Sequence, residues 1–222
     1  MYSIFIDLEF MDADRKFRKL PHYCRKEIIQ FGAVVLDDKL QEVDSFLSYV
    51  KPQCSTRLKK QFTEFTGITN EAAFGAPVFA EVLQNFCSWC LQYGTDAVVY
   101  EWSTSDLHQI LFECTAKEIS LTHEEQLVLH DWQDAQKLYG DVVETDTQIA
   151  LETAVWTLGE GIEGRLHDAL WDARNTARVF ALLKSEERAE KAKQMLHHGT
   201  QEESFSCTLG ELFDFSKLQL KA

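Results

Sequence analysis

Little in this chain breaks regular structure: it has 3 prolines in 222 residues. No stretch has the polar, low-hydrophobicity composition that keeps a segment disordered. The length therefore suits one large domain, or one domain with an added segment. Positive charge is scarce, with 22 Lys and Arg against 36 Asp and Glu, a net charge of −14. That excludes a protein that grips nucleic acid by bulk electrostatics, because the phosphate backbone would be repelled. Any contact with a polyanion must be local, or bridged by metal. No apolar run reaches the roughly 18 residues that suggest a membrane-spanning helix, and the first residues lack a basic segment followed by an apolar one. The expectation is a cytoplasmic protein with no membrane partner. The cysteines at 24, 54, 87, 90, 114 and 207 show no disulfide-framework spacing and read as reduced thiols. Cys87 and Cys90 form a CxxC inside the helical pattern Phe79, Val82, Leu83, Phe86, Leu91. A zinc site would want a second pair, and none is spaced for it.

What is present is a 45% hydrophobic, 12% aromatic composition, enough for a sizeable core. Residues 4–10 (IFIDLEF) read as a buried strand interrupted by two acids, Asp7 and Glu9. Residues two apart leave the same face, with Cβ atoms roughly 6–7 Å apart. Two anions so close in an apolar setting repel each other and lose hydration. Either the strand lies at an edge with its acids in water, or a hard cation such as Mg²⁺ sits between them.

Residues 12–26 form a polar, loop-like stretch with Pro21 and six basic residues: Arg15, Lys16, Arg18, Lys19, Arg25 and Lys26. It reads as a solvated loop or as a phosphate-gripping flap beside the acids. Strands are expected over 27–36 and 43–50, then short helix 58–65, helix 77–92 and strand 97–100. A helix over about 105–118 is expected, with Ser103 or Thr104 as its cap. A strand over 127–130, a helix over 131–138 and helices over 147–158 and 169–193 complete the order. That order predicts a mixed sheet with helices on its faces. Residues 204–220 are too apolar for a free tail and are expected to dock on the domain or on a partner.

Further acids can join the first pair. Asp106 follows the strand 97–100 at a helix start, where ligands gather in α/β sheets. Asp131 and Glu101 compete with it, and an acid in a first helical turn is also ordinary helix chemistry. His167 and Asp172 are five apart, which on one helix separates them by roughly 140°. They meet only if His167 lies in the preceding loop, which Gly159, Gly161 and Gly164 favour, with Asp168 capping the helix. A loop histidine titrates near neutrality and suits a base that takes a proton from water. The GxGxxG at 159–164 follows a helix and carries Glu160 and Glu163, so it is not a pyrophosphate loop.

The ordered set Asp7-x-Glu9, Asp106 and His167-x4-Asp172 resembles the DEDDh 3′→5′ exonucleases. That group includes RNase T, the DNA polymerase III proofreading subunit and the Eri-type exoribonucleases. The segments 27–35 (EIIQFGAVV), 49–52 (YVKP), 66–69 (TGIT) with Pro77, and 172–177 (DARNTA) look similar as well. The resemblance covers roughly residues 2–185. It implies an α/β, RNase H-like mixed sheet, three antiparallel strands then parallel strands, flanked by helices. It implies an exonuclease domain over 1–190, and the apolar character of the chain beyond it leads us to expect an extension over 191–222 that docks on the domain or on a partner, a second copy or another protein. Asp7, Glu9, Asp106 and Asp172 would bind two Mg²⁺ or Mn²⁺ ions, and His167 would be the general base. Two ions bring four positive charges to four carboxylates and so permit a phosphate to approach. Phe10 and Met11 would touch the terminal nucleotide, Phe10 by stacking. The implied activity releases nucleoside 5′-monophosphates from single-stranded 3′ ends, with RNA slightly favoured over DNA. The alternative is a binding or regulatory subunit of the same fold with little turnover. Three positions depart from the family pattern. Ser103 follows Trp102 where Gly is common, Trp171 precedes the last acid where Asp is usual, and Asp168 follows His167 where a basic residue or Asn is frequent.

Overall fold

The computed structural model describes residues 1–198; the segment 204–220 and Cys207 lie outside the described residues. Three strands come first: β1 (Ser3–Asp12), β2 (Lys26–Leu36) and β3 (Glu42–Tyr49). Two short helices, α1 (Lys60–Thr66) and α2 (Asn70–Phe74), precede α3 (Phe79–Leu91). Then follow β4 (Val98–Glu101), α4 (Ser105–Ala116), α5 (His123–Val128), β5 (Gln133–Asp134) and α6 (Ala135–Val143). Helices α7 (Leu151–Thr157), α8 (Ala169–Leu182) and α9 (Glu186–His198) close the described chain.

The sheet order is β3-β2-β1-β4-β5. β1 and β3 run antiparallel to β2, whereas β4 is parallel to β1 and β5 is parallel to β4. This is the mixed sheet that the strand order predicts. β2 is buried along its whole length past Lys26, which is why it reads as one apolar run rather than an alternation. One face of the sheet packs Ile4, Ile6, Leu8 and Phe31 against Phe79 and Phe86 of α3 and Ile110 of α4. The other face sets Phe5, Val34 and Leu36 against α8. Gly32 on β2 pairs with Asp7 on β1. A Cβ at Gly32 would lie 2.1 Å from Leu170 N and 2.2 Å from Ala169 C. The missing side chain is what lets the start of α8 press onto the sheet beside Asp7.

Lys117 lies in the core between Glu113, at 2.6 Å, and Glu27, at 3.4 Å. The two carboxylates also accept backbone N–H groups, Glu27 from Gln53 and Cys54 and Glu113 from Ile28. The trio ties α4 to the start of β2 and to the 53–54 segment.

Four sequence expectations are corrected. Residues 127–130 do not form a strand; Thr122 and Glu125 make a reciprocal capping box that starts α5, and the strand is the later Gln133–Asp134. A short apolar run does not by itself distinguish helix from strand. The following helix starts at Ala135, where the Asp134 side chain accepts from Lys137 N, rather than at 131. The helix over 169–193 is two helices, α8 and α9, broken at 183–185. Helix α9 crosses residue 190 and lays Ala192 against Tyr139, Val143 and Val155 of α6 and α7. Finally, neither Ser103 nor Thr104 caps α4 through its side chain. Glu101 does so: its Oε2 accepts from Asp106 N at 2.9 Å and from Leu107 N at 3.0 Å. The five described cysteines are buried and free.

Candidate active site

The carboxyl end of β1, the start of α4 and the loop before α8 converge on one cavity of about 320 Å³. Its wall includes Asp7, Glu9, Phe10, Asp106, His167 and Asp172, with Trp102, Ser105, Leu151 and Glu152 around them. The four expected acids, from three separate segments of the chain, thus face one space, with Glu152 of α7 as a fifth. Asp106 is buried at 4% exposure and Asp172 at 7%. Asp131 takes no part: it is exposed and lines a different cavity, at the opposite end of β4. Glu101 is consumed by its cap of α4, and that cap aims Asp106 into the site.

His167 does lie outside the helix, in the loop before α8, with a left-handed φ of 61°. Two contacts hold that turn. Its backbone N–H donates to Asp172 Oδ2 at 2.9 Å, and the Asp168 carboxylate accepts from Leu170 N and Trp171 N as the α8 cap. One side-chain N or O atom from each of Glu9, His167 and Asp172 lies within 4.8 Å of the other two, close enough that the three could hold a metal ion. The imidazole stacks on Phe65, with ring centroids 3.7 Å apart and planes 21° apart. Burial pushes the His167 pKa down, opposed by the charge of Glu152, so the ring is neutral and able to accept a proton at neutral pH.

The acids are pushed the other way. Burial, then Asp106, Asp172 and Glu9, raise Asp7 well above the usual carboxylate range. Glu9 is raised to about 8 by burial and by Asp172 and Asp168. Asp106 is raised by burial and by Glu101 and Glu9. Asp172 is raised to about 6, chiefly by burial, although the His167 N–H opposes it. Asp172 Oδ1 is buried with no hydrogen-bond partner. Crowded oxygen donors, one of them orphaned, fit a hard divalent ion. The residues present therefore fit the ions that the acid pattern implies.

Phe10 stands between two cavities. It lines the acid cavity and also a neighbouring space of about 340 Å³ with Met11, Lys26, Lys59 and Phe62. Met11 reaches only the second. Its side chain is buried with Ile29, Leu58 and Ile68, and its sulfur accepts from Lys59 N. The irregularity in β1–β2 pairing at Glu9/Phe10 explains why neighbouring side chains part in this way. Sequence reasoning missed Phe65, Glu152 and Gln30. Gln30 pairs with Glu9 across the strands and is fully buried. Its Oε1 accepts from Ala169 N, while its Nε2 has no partner. The glutamine within an otherwise apolar strand was the available signal; Phe65 and Glu152 carried none. Of the departures, Ser103 adopts φ 79°, the conformation glycine takes without strain. Trp171 packs on Gly164 and under Arg174 and is not part of the cavity wall.

The chain matches the exonuclease model named RNase T over residues 4–180. ERI1 exoribonuclease 2 of Danio rerio is 33% identical over 172 residues, 68% of this chain and 30% of that protein. The human 3′-5′ exoribonuclease 1 is 26% identical over 183 residues, 78% of this chain and 50% of that protein. The chain thus spans 30–50% of the length of these relatives. A solved 3′-exonuclease, in a structure concerned with recognition of a histone mRNA stem-loop, superposes with TM-score 0.71 at 25% identity. That match covers 84% of this chain and 65% of the other. The nuclease domain of a DEDDh family member bound to rAMP shares the fold, with TM-score 0.67 at 24% identity over 89% of this chain and 92% of that one.

Proposed function

We propose, from the premise that this chain belongs to the RNase T exonuclease family, that it is a metal-dependent 3′→5′ exonuclease. It acts on single-stranded 3′ ends, releases nucleoside 5′-monophosphates and favours RNA slightly over DNA. The observation that carries the reading is the convergence of Asp7, Glu9, Asp106 and Asp172 with His167 on one cavity. In this reading the four carboxylates hold two Mg²⁺ or Mn²⁺ ions. When bound, such ions make water nucleophilic and stabilise the departing 3′ oxygen. His167, neutral and held by its own N–H on Asp172, takes the proton of the attacking water at a ring nitrogen. Phe10 offers a ring for the terminal base. The names of the relatives, exoribonucleases, support the preference for RNA. The second reading, a binding or regulatory subunit with little turnover, has the complete acid set against it.

The test is a 5′-labelled RNA and a matched DNA oligonucleotide incubated with the full chain and Mn²⁺, with and without chelator. The expected result is a ladder shortening from the 3′ end, faster on RNA and absent with chelator. Oligonucleotides left whole in Mn²⁺ would favour the binding subunit instead.

A further inference from the structure

The six basic residues of the 12–26 stretch do not spread into solvent separately. The loop folds back as the β1–β2 connection, with Ala13 N bonded to Arg25 O at 2.9 Å and a 3₁₀ turn at Arg15–Phe17. It is joined to the 54–60 segment by Asp14 N to Cys54 O, Thr56 N to Asp14 Oδ2, and Lys16 Nζ to Thr56 Oγ1. Together residues 12–26 and 54–60 hold nine of the chain's 22 Lys and Arg and only two acids, Asp12 and Asp14.

The pairing of arginines separates this surface from the rest. Arg174, Arg178 and Arg188 each bind glutamates, and Arg165 donates to the carbonyls of Glu64 and Phe65. Arg15, Arg18, Arg25 and Arg57 are exposed and make no side-chain ion pair or hydrogen bond among the described residues, and Lys19 is likewise exposed. A protein with an excess of acid has left its unpaired guanidinium groups on one ridge. The ridge also adjoins the acid cavity. Lys26 lies 4.7 Å over the Phe10 ring, and Lys26 and Lys59 line the cavity on the far side of Phe10 from Asp7. Asp12, where the ridge begins, is three residues beyond Glu9 on the same strand, about 10 Å along it.

We propose that this ridge is a second nucleic-acid surface, which holds the phosphodiester backbone upstream of the 3′ end that enters the acid cavity. The proposal rests on the exonuclease reading for its direction, 3′ end in the cavity and body of the strand on the ridge. Guanidinium groups suit phosphate oxygens by their forked geometry. They supply locally what the net charge of the chain denies.

The test compares the full chain with R15Q/R18Q/K19Q/R25Q and with a charge-matched control, K39Q/K137Q/K184Q/K191Q. The substrates are an unstructured 20-residue oligoadenylate and a diadenylate, in Mn²⁺ over a series of KCl concentrations. The ridge variant is expected to raise KM for the 20-mer about tenfold with kcat little changed, and to leave kcat/KM for the diadenylate within twofold of the unaltered chain. The control is expected to follow the unaltered chain on both. Anisotropy of the labelled 20-mer in chelator is expected to show a salt slope flatter by about 0.7 for each phosphate that the variant no longer neutralises. Equal KM and equal salt slope for ridge variant and control would overturn the proposal. So would a loss of binding to phosphatidylserine vesicles with RNA binding intact, which would assign the ridge to a lipid surface. If the unaltered chain cleaves nothing but binds the 20-mer through the ridge, the exonuclease reading falls and the ridge stands.

Discussion

His167 illustrates how much one residue's chemistry depends on a neighbour that sequence spacing does not suggest. Phe65 is 59% exposed, an uneconomical place for a phenyl ring unless it covers something. It covers the imidazole, and burial is the main cause of the lowered pKa. Removing the ring rehydrates the imidazolium and raises that pKa. The fraction of neutral base at mildly acidic pH then falls. Phe65→Ala is therefore expected to move the acid limb of the kcat profile to higher pH while changing stability by less than about 1 kcal/mol, as for other exposed positions. A pH–rate profile in Mn²⁺ beside a urea titration reads both; an acid limb that stays in place would show that Phe65 does not tune the base. At this scale the site was largely legible. The Asp7/Glu9 spacing, the loop position of His167 and the Asp168 cap all follow from local geometry. Phe65 and Glu152 were not, because nothing local marks a side chain whose role lies in another segment. The strain at Ser103 lies in its φ of 79°, of which the sequence carries only a departure from the family pattern.

At the scale of elements, the site depends on the seat of α8. Gly32 lies opposite Asp7, and Gln30 accepts the Ala169 N–H two residues away on the same face of β2. Gly32→Ala drives a methyl group into the Ala169–Leu170 backbone, and no flexible side chain is there to yield. The expected loss is about 2–3 kcal/mol, read as a lower urea midpoint, with a weaker Mn²⁺-induced rise in Tm because Asp172 is carried away from Asp7. An unaltered midpoint would mean that α8 has room to move. The elements themselves were legible where a long pattern ran uninterrupted, as in β2 and α3. They were misread where two signals competed. At 127–130 an apolar run reads as a strand, whereas the Thr122/Glu125 capping box starts a helix there, and at 183–185 helical periodicity continues through a break. The capping of α4 by Glu101 could not be read from spacing, because the residue that does it ends the preceding strand.

The molecule as a whole buries carboxylates and crowds them together in its cavity, and this makes its stability depend on pH in a defined sense. Asp7, Glu9, Asp106 and Asp172 all have folded pKa values above those of free carboxylates. The folded state therefore binds more protons than the unfolded one, and stability falls as pH rises. The stabilising contribution is full below about pH 4 and is lost progressively toward pH 8, the window set by the unfolded values and by Glu9. With chelator present, Tm is expected to fall between about pH 5 and pH 8. Mn²⁺ should flatten that fall, and Asp172→Asn should reduce it in chelator while abolishing turnover. Calorimetry at a series of pH values checks all three; a Tm in chelator that rises over this range would show that the buried acids do not set the pH dependence.

Lys117 has a consequence for how the protein can change over time. One cation in the core answers two carboxylates, and those in turn anchor three backbone N–H groups. Losing Lys117 alone strands two buried carboxylates, a penalty of about 3–5 kcal/mol, whereas losing either glutamate leaves Lys117 paired with the other and orphans the backbone N–H groups that the lost carboxylate held. Of the three, Lys117 is therefore the position least able to change by itself, and a chimera that joins β2 of one relative to α4 of another is expected to keep its stability only when a cation still faces both carboxylates.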